Sequence, residues 1–148
     1  MSDQERAALS DFAICWTIFE SKLFDSNVSA ARIKEKVESW FEPVDADKNW
    51  YSPQFEYFRG RYTENGEIGA RFGHLHLRNN DDPDLVRQVL LGEDQEAVSQ
   101  LTACLIIVSR FRNNFFHGLK WAYQFQDQHE NFENSTKLMI ECITKFGN

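Results

Sequence analysis

The chain has 148 residues and carries 23 Asp and Glu against 16 Lys and Arg, a net charge of −7. Its summed field repels phosphates, which excludes a nonspecific nucleic-acid coater and restricts any RNA contact to a local site. The apolar share of 42%, with thirteen Phe and four Trp, excludes a disordered chain and predicts a single folded domain over residues 1–148.

The opening "MSDQERAALS" is charged and has no apolar h-region, and no apolar run approaches the length of a membrane span. The expectation is a cytoplasmic protein with no membrane partner. Leu9, Phe12, Ala13, Trp16, Phe19 and Leu23 recur at helical spacing and predict a helix from about Asp3 to Phe24. Ile14 and Ile18 add a second apolar stripe, so this helix is expected to bury two faces. The next helix runs from Ser29, its N-cap, to Phe41, and Pro43 stops it.

From 43 to 93 the pattern is least regular. Pro53 opens a short helix, and Asn65-Gly66 is a turn signal of the kind that joins a small hairpin. "ARFGHLHLRNNDD" alternates like a strand or is loop. Asp82-Pro83 gives an N-cap and first helical residue for a helix ending near Leu91, before Gly92. Asp94 caps a long helix whose seam is Val98, Leu101, Leu105 and Val108; it is expected to end near His117, with Gly118 as its left-handed cap. A last helix spans about Asp127 to Phe146. These elements predict an all-α bundle of four to five helices with an irregular insertion in the middle. Cys15, Cys104 and Cys142 sit in apolar helical patterns without a CxxC pair, and are expected to be buried reduced thiols.

The stretch "SRFRNNFFHGLKW", Ser109 to Trp121, interrupts this logic. Steps of three and four along the seam lead from Val108 to Arg112 and Phe115, so a guanidinium stands where an apolar residue belongs. Such a cation must meet a counter-charge, an aqueous cleft or an anion. A structural pair with an acid such as Glu20 is one reading. The other is chemical. His117, about 140° around and about 7.5 Å further along an ideal helix, neighbours Asn113 and Asn114 rather than Arg112. Two copies of the helix meeting across a two-fold axis would bring cation and imidazole into one cleft. That pair suits attack of a ribose 2′-hydroxyl on its neighbouring phosphate, which needs a proton acceptor and a stabiliser of the crowded anion.

The spacing alone is weak, because Arg71 and His76 repeat it. The context "RNNFFHG" at the end of a penultimate long helix, however, resembles the Arg-x(4–6)-His signature of the HEPN superfamily. The first helix, "FAICWTIFESKLF" with its Phe19-Glu20 pair, is similar to HEPN first helices. The segment 43–93 carries no part of the likeness. The resemblance implies an up-and-down, HEPN-like bundle that dimerises, with the motifs of two subunits lining one cleft. It further implies metal-independent endoribonuclease activity on RNA without a cofactor, giving 2′,3′-cyclic phosphate ends, in toxin–antitoxin or anti-phage roles, with an antitoxin as partner in the former.

Carried onto this chain, the resemblance makes Arg112 and His117 catalytic, with Asn113 as the supporting polar residue. Asn114, Arg110, Lys120 and Glu20 are the substrate-binding candidates: Arg110 and Lys120 as flanking phosphate contacts, Glu20 as the group that orients Arg112. A subgroup paired with nucleotidyltransferase antitoxins has Tyr two residues after the His; Leu119 stands there, so adenylylation at that position is not expected. No metal site is expected, since His74 and His76 share a face only in an extended segment and lack a third ligand. Arg59, Arg61, Arg71 and Arg78 form a candidate basic patch, and Trp121 and Tyr123 candidate stacking groups. The alternative reading is a non-catalytic HEPN-fold module that binds a nucleotide or a partner's acidic segment.

Overall fold

The computed structural model describes residues 2–42, 49–116 and 128–147, the side chain of Phe116 excepted. The described residues are all-α apart from one short hairpin and two 3₁₀ turns. In order the chain has α1 (Asp3–Phe24), α2 (Ala30–Trp40), α3 (Ser52–Tyr62), β1 (Thr63–Glu64), β2 (Glu67–Ile68), two 3₁₀ turns (Ala70–Leu75 and Asn79–Asp81), α4 (Pro83–Leu90), α5 (Ala97–Phe116) and α6 (His129–Phe146). It divides into two compact units, one of residues 1–27 with 111–148, the other of residues 28–110; α5 crosses the division. This is the all-α bundle expected, and its irregular middle holds α3 and α4 where Pro53 and Asp82-Pro83 open a helix.

In the first unit, α1 starts from a reciprocal cap. The Glu5 amide donates to Ser2 Oγ and the Ser2 amide donates to Glu5 Oε2, each at 3.1 Å, which satisfies two of the orphan donors of a helix start. Phe12, Trp16, Phe19 and Leu23 are buried, as their spacing predicts. Phe12 meets Phe132 of α6 with ring centroids 4.9 Å apart, and Phe111 meets the same ring at 6.4 Å. The Cys15 thiol points at the Thr136 carbonyl, 4.0 Å away. Contact thus advances from Phe12–Phe132 to Cys15–Thr136, so α1 and α6 run in the same direction along their shared seam. Ile14 and Ile18 correct the expectation of a second buried face: they are 62% and 42% exposed.

In the second unit, Ser29 Oγ caps α2 by accepting from the Arg32 amide at 3.2 Å. Pro53 lies in the first turn of α3, where its missing N–H costs nothing. Tyr51, Phe55, Phe58 and Tyr62, at steps of four, three and four, are all buried. The Asn65-Gly66 signal is realised: both residues have positive φ, 55° and 80°, and join β1 to β2 in a two-residue hairpin pairing Thr63 with Ile68. The segment that alternates like a strand is instead a 3₁₀ turn, with Phe72 and Leu75 buried. Asp82 caps α4 by accepting from the Leu85 amide, with Pro83 following as expected. Asp94 accepts from the Glu96 amide at 3.0 Å, just ahead of α5. All residues of α5 from Leu101 to Val108 are buried. The predicted seam understated this helix, which is apolar around its whole circumference and has no solvent face there.

Candidate functional site

The burial of α5 relaxes toward its end. Ser109 is half-buried, Arg110 and Phe111 are buried, and Arg112, Asn113, Asn114 and Phe115 are half-buried. The candidate residues Arg112, Asn113 and Asn114 therefore lie just past the enclosed stretch of the helix, where it begins to meet solvent. Arg112 Nη1 donates to Asn113 Oδ1 at 3.1 Å. Adjacent helical residues point about 100° apart, so this bond holds the guanidinium turned toward the Asn113 side of the helix. His117, Lys120, Trp121 and Tyr123 lie outside the described residues, as do Gly118 and Leu119.

Arg110 stands apart from the flanking-cation expectation. It is 4% exposed. Its Nε donates to the Leu75 carbonyl at 3.1 Å, and its Nη1 lies 3.5 Å from Asp81 Oδ2. Asp81, itself buried, accepts on the same oxygen from the Arg78 amide at 2.8 Å and from Arg78 Nε at 3.3 Å. Burial lowers the pKa of the Arg110 guanidinium, Asp81 opposes that, and the nearby Arg78 cation adds to the lowering. The group keeps its proton at neutral pH all the same. In this structure Arg110 is tied to the 3₁₀ segment rather than presented to a phosphate.

Glu20, the other candidate on α1, is half-buried. Its backbone carbonyl closes the end of the helix, accepting from the amides of Asp25 and Ser26. His74 and His76 are both exposed; His74 belongs to the 3₁₀ turn and His76 has a left-handed backbone, so the extended geometry that would align them is not formed. Among the described residues there is no cluster of three or more His, Cys, Asp or Glu placed to hold a metal. Of the middle arginines, Arg59 pairs with Glu56, Arg78 with Asp81, and Arg87 with Asp84, while the Arg87 guanidinium also lies 5.3 Å from the centre of the Phe72 ring.

Sequence reasoning missed Asp81. "RNNDDP" offers two acids, and the Asp-Pro pair draws attention to Asp82. The usable signal was on the other strand of the argument: a helix apolar on all sides leaves no exit for the charge of Arg110, which then requires an acid.

All three cysteines are buried and none forms a disulfide, as expected. Burial raises the thiol pKa of Cys104 and, with the added field of Asp11, that of Cys15. Both are held in the unreactive thiol form. None of the described helices is long and apolar enough to cross a membrane.

Comparison with known proteins returns nothing: no protein-family model matches the chain, and neither a curated protein nor a solved structure is significantly similar to it.

Proposed function

We propose that the protein is a metal-independent endoribonuclease of HEPN type, acting as a homodimer in which the ends of two α5 helices form one cleft. The observation that supports this most directly is the half-buried Arg112, oriented by Asn113, at the point where α5 leaves its enclosed stretch. A permanent cation with several donors suits an anion that gains charge during reaction.

In the reaction, the ribose 2′-oxygen attacks the adjacent phosphorus and the bond to the 5′-oxygen breaks. The 2′-hydroxyl proton goes to a base, and a proton reaches the departing 5′-oxygen. His117 is assigned the proton transfer and Arg112 the stabilisation of the phosphorane charge. Asn114, Lys120 and Glu20 are assigned to substrate binding or to positioning of the pair. The role in the cell is that of a toxin with an antitoxin partner, or of an anti-phage effector. A non-catalytic binding module of the same build is favoured by one observation: Arg110, one of the two cations flanking the motif, is committed to Asp81.

One experiment separates these readings. The purified chain in EDTA is expected to cut single-stranded RNA and leave 2′,3′-cyclic phosphate ends. Arg112→Ala and His117→Ala are each expected to abolish cutting with helical content unchanged. Full activity in both variants overturns the site, and RNA binding without cutting favours the binding module. In cells, the wild type is expected to arrest growth and His117→Ala to be harmless.

A further inference from the structure

The segment between the hairpin and α4 is basic within an acidic chain. Residues 68–80 include no Asp or Glu, while Arg71, His74, His76 and Arg78 follow one another closely, and all four are exposed. A 3₁₀ helix repeats every three residues and rises about 2 Å with each. In the turn Ala70–Leu75, Phe72 and Leu75 therefore share the buried face, and Arg71 and His74 share the exposed one, about 6 Å apart along the axis. His76 then reverses the backbone with a φ of 51°, ahead of Arg78. The backbone beneath these side chains is held, because Phe72 and Leu75 are buried and the Leu75 carbonyl accepts from Arg110 Nε at 3.1 Å. Cations carried on a held backbone lose less freedom when they bind.

Both acids that follow are engaged by the fold. Asp82 accepts from the Leu85 amide at the start of α4. Asp81 is buried, and its Oδ2 serves two guanidinium groups, Arg78 Nε at 3.3 Å and Arg110 Nη1 at 3.5 Å. Two cations on one carboxylate sum to a single positive charge. Since Arg110 and Asp81 are buried, that charge meets solvent through Arg78, whose side chain is 58% exposed. Besides burial, the Arg78 cation lowers the pKa of Arg110, a repulsion that an anion on Arg78 relieves. A planar fork of N–H donors matches the oxygens of a phosphate.

We infer that Arg71, His74 and Arg78 form a binding site for the phosphodiester backbone of single-stranded RNA, with Arg78 as its principal contact. The net charge of −7 confines such a strand to a local basic face of this kind. Arg59 is left out of the site, since Glu56 stands beside it. The inference rests on RNA being the ligand and not on its being cut. Contacts to the backbone add affinity and fix position without reading sequence.

The test is fluorescence anisotropy of the full chain with a short labelled oligouridylate bearing 2′-O-methyl groups. Such a strand keeps its phosphates but has no 2′-hydroxyl to attack, so binding is read apart from cutting. The wild type is expected to bind it, with an affinity that falls as salt rises. Arg71→Gln with Arg78→Gln is expected to weaken binding by about ten-fold and to lower the salt slope by about 1.4, two phosphates at about 0.7 each. If circular dichroism shows that this double variant has lost helix, Arg71→Gln alone is read, with half that change in slope. Arg78→Lys keeps the charge and is expected to keep the slope. Arg59→Gln removes an equal charge elsewhere and is expected to change affinity by less than about two-fold. No binding by the wild type, an unchanged slope in the Gln variants, a slope lowered by Arg78→Lys, or an equal loss in Arg59→Gln overturns the inference. Cleavage of ordinary RNA by the same samples reads the catalytic proposal separately, because a chain that binds through these residues and cuts nothing loses the enzyme and keeps the site.

Discussion

Arg110 and Arg112 are separated by a single residue on α5, yet their surroundings are opposite. Arg110 lies in the enclosed part of the helix and is held by a carboxylate and a carbonyl. Arg112 lies where enclosure ends, half-buried, with a neighbouring asparagine on its guanidinium. The contrast shows that sequence proximity to a motif does not make a cation part of it. What decides is whether the helix has a solvent face at that turn. Where it has none, the charge must be neutralised from within the fold, and the residue becomes structural.

The largest effect that separates the two arginines is on stability. Asp81→Ala leaves the Arg110 cation buried beside an empty acceptor and is expected to cost about 3–5 kcal/mol in urea denaturation. Replacing both, Arg110→Met with Asp81→Leu, is expected to recover most of that loss; if it is no better than Asp81→Ala, the pair is not what holds this region. Arg112→Ala is expected to do the reverse, lowering RNA cleavage by at least about 100-fold while changing stability by less than about 1 kcal/mol. A comparable loss of stability at both positions would erase the distinction.

Tyr51 extends the comparison to a buried polar group without a charge. Its hydroxyl donates to Gln100 Oε1 at 2.5 Å, and burial, with a smaller push from Cys104, raises its pKa to about 12. The folded state therefore holds the phenolic proton after the unfolded chain has released it near pH ~10. Stability is intact below that value and falls as pH rises toward 12. Tyr51→Phe is expected to flatten this alkaline loss and to cost about 1 kcal/mol at neutral pH for the missing hydrogen bond. The smallest effect is expected from Arg78→Ala. Its side chain is 58% exposed, so a change of no more than about 1 kcal/mol is expected in the same denaturation series.

The helices were legible where a period met a cap. Ser29, Asp82-Pro83 and Asn65-Gly66 each carry a local geometric demand that few residues meet, and each stands where its chemistry places it. α3 was legible in principle, since Tyr51, Phe55, Phe58 and Tyr62 keep helical spacing. The intervening Arg59, Gly60 and Arg61 obscured the stripe and made the helix look short. "RFGHLH" was misleading for a plain reason: a 3₁₀ turn repeats every three residues, and burying Phe72 and Leu75 satisfies that period as naturally as alternation satisfies a strand. Ile14 and Ile18 were misassigned because helical spacing groups apolar residues on a face without saying whether the fold buries that face. Of the candidate site, Arg112 and its asparagine neighbour were readable because they broke a seam. The Arg110–Asp81 contact was not, because nothing local links a helix to a turn some thirty residues earlier.

The placement of the thiols has a practical consequence. Cys15 and Cys142 belong to one unit and Cys104 to the other, and Cys104 and Cys142 are 1% and 0% exposed in the native fold. A thiol-alkylating reagent therefore reports each unit's transient opening without any engineered label. Mass-resolved labelling of Cys104 against Cys142 would show whether the halves breathe together or one yields first.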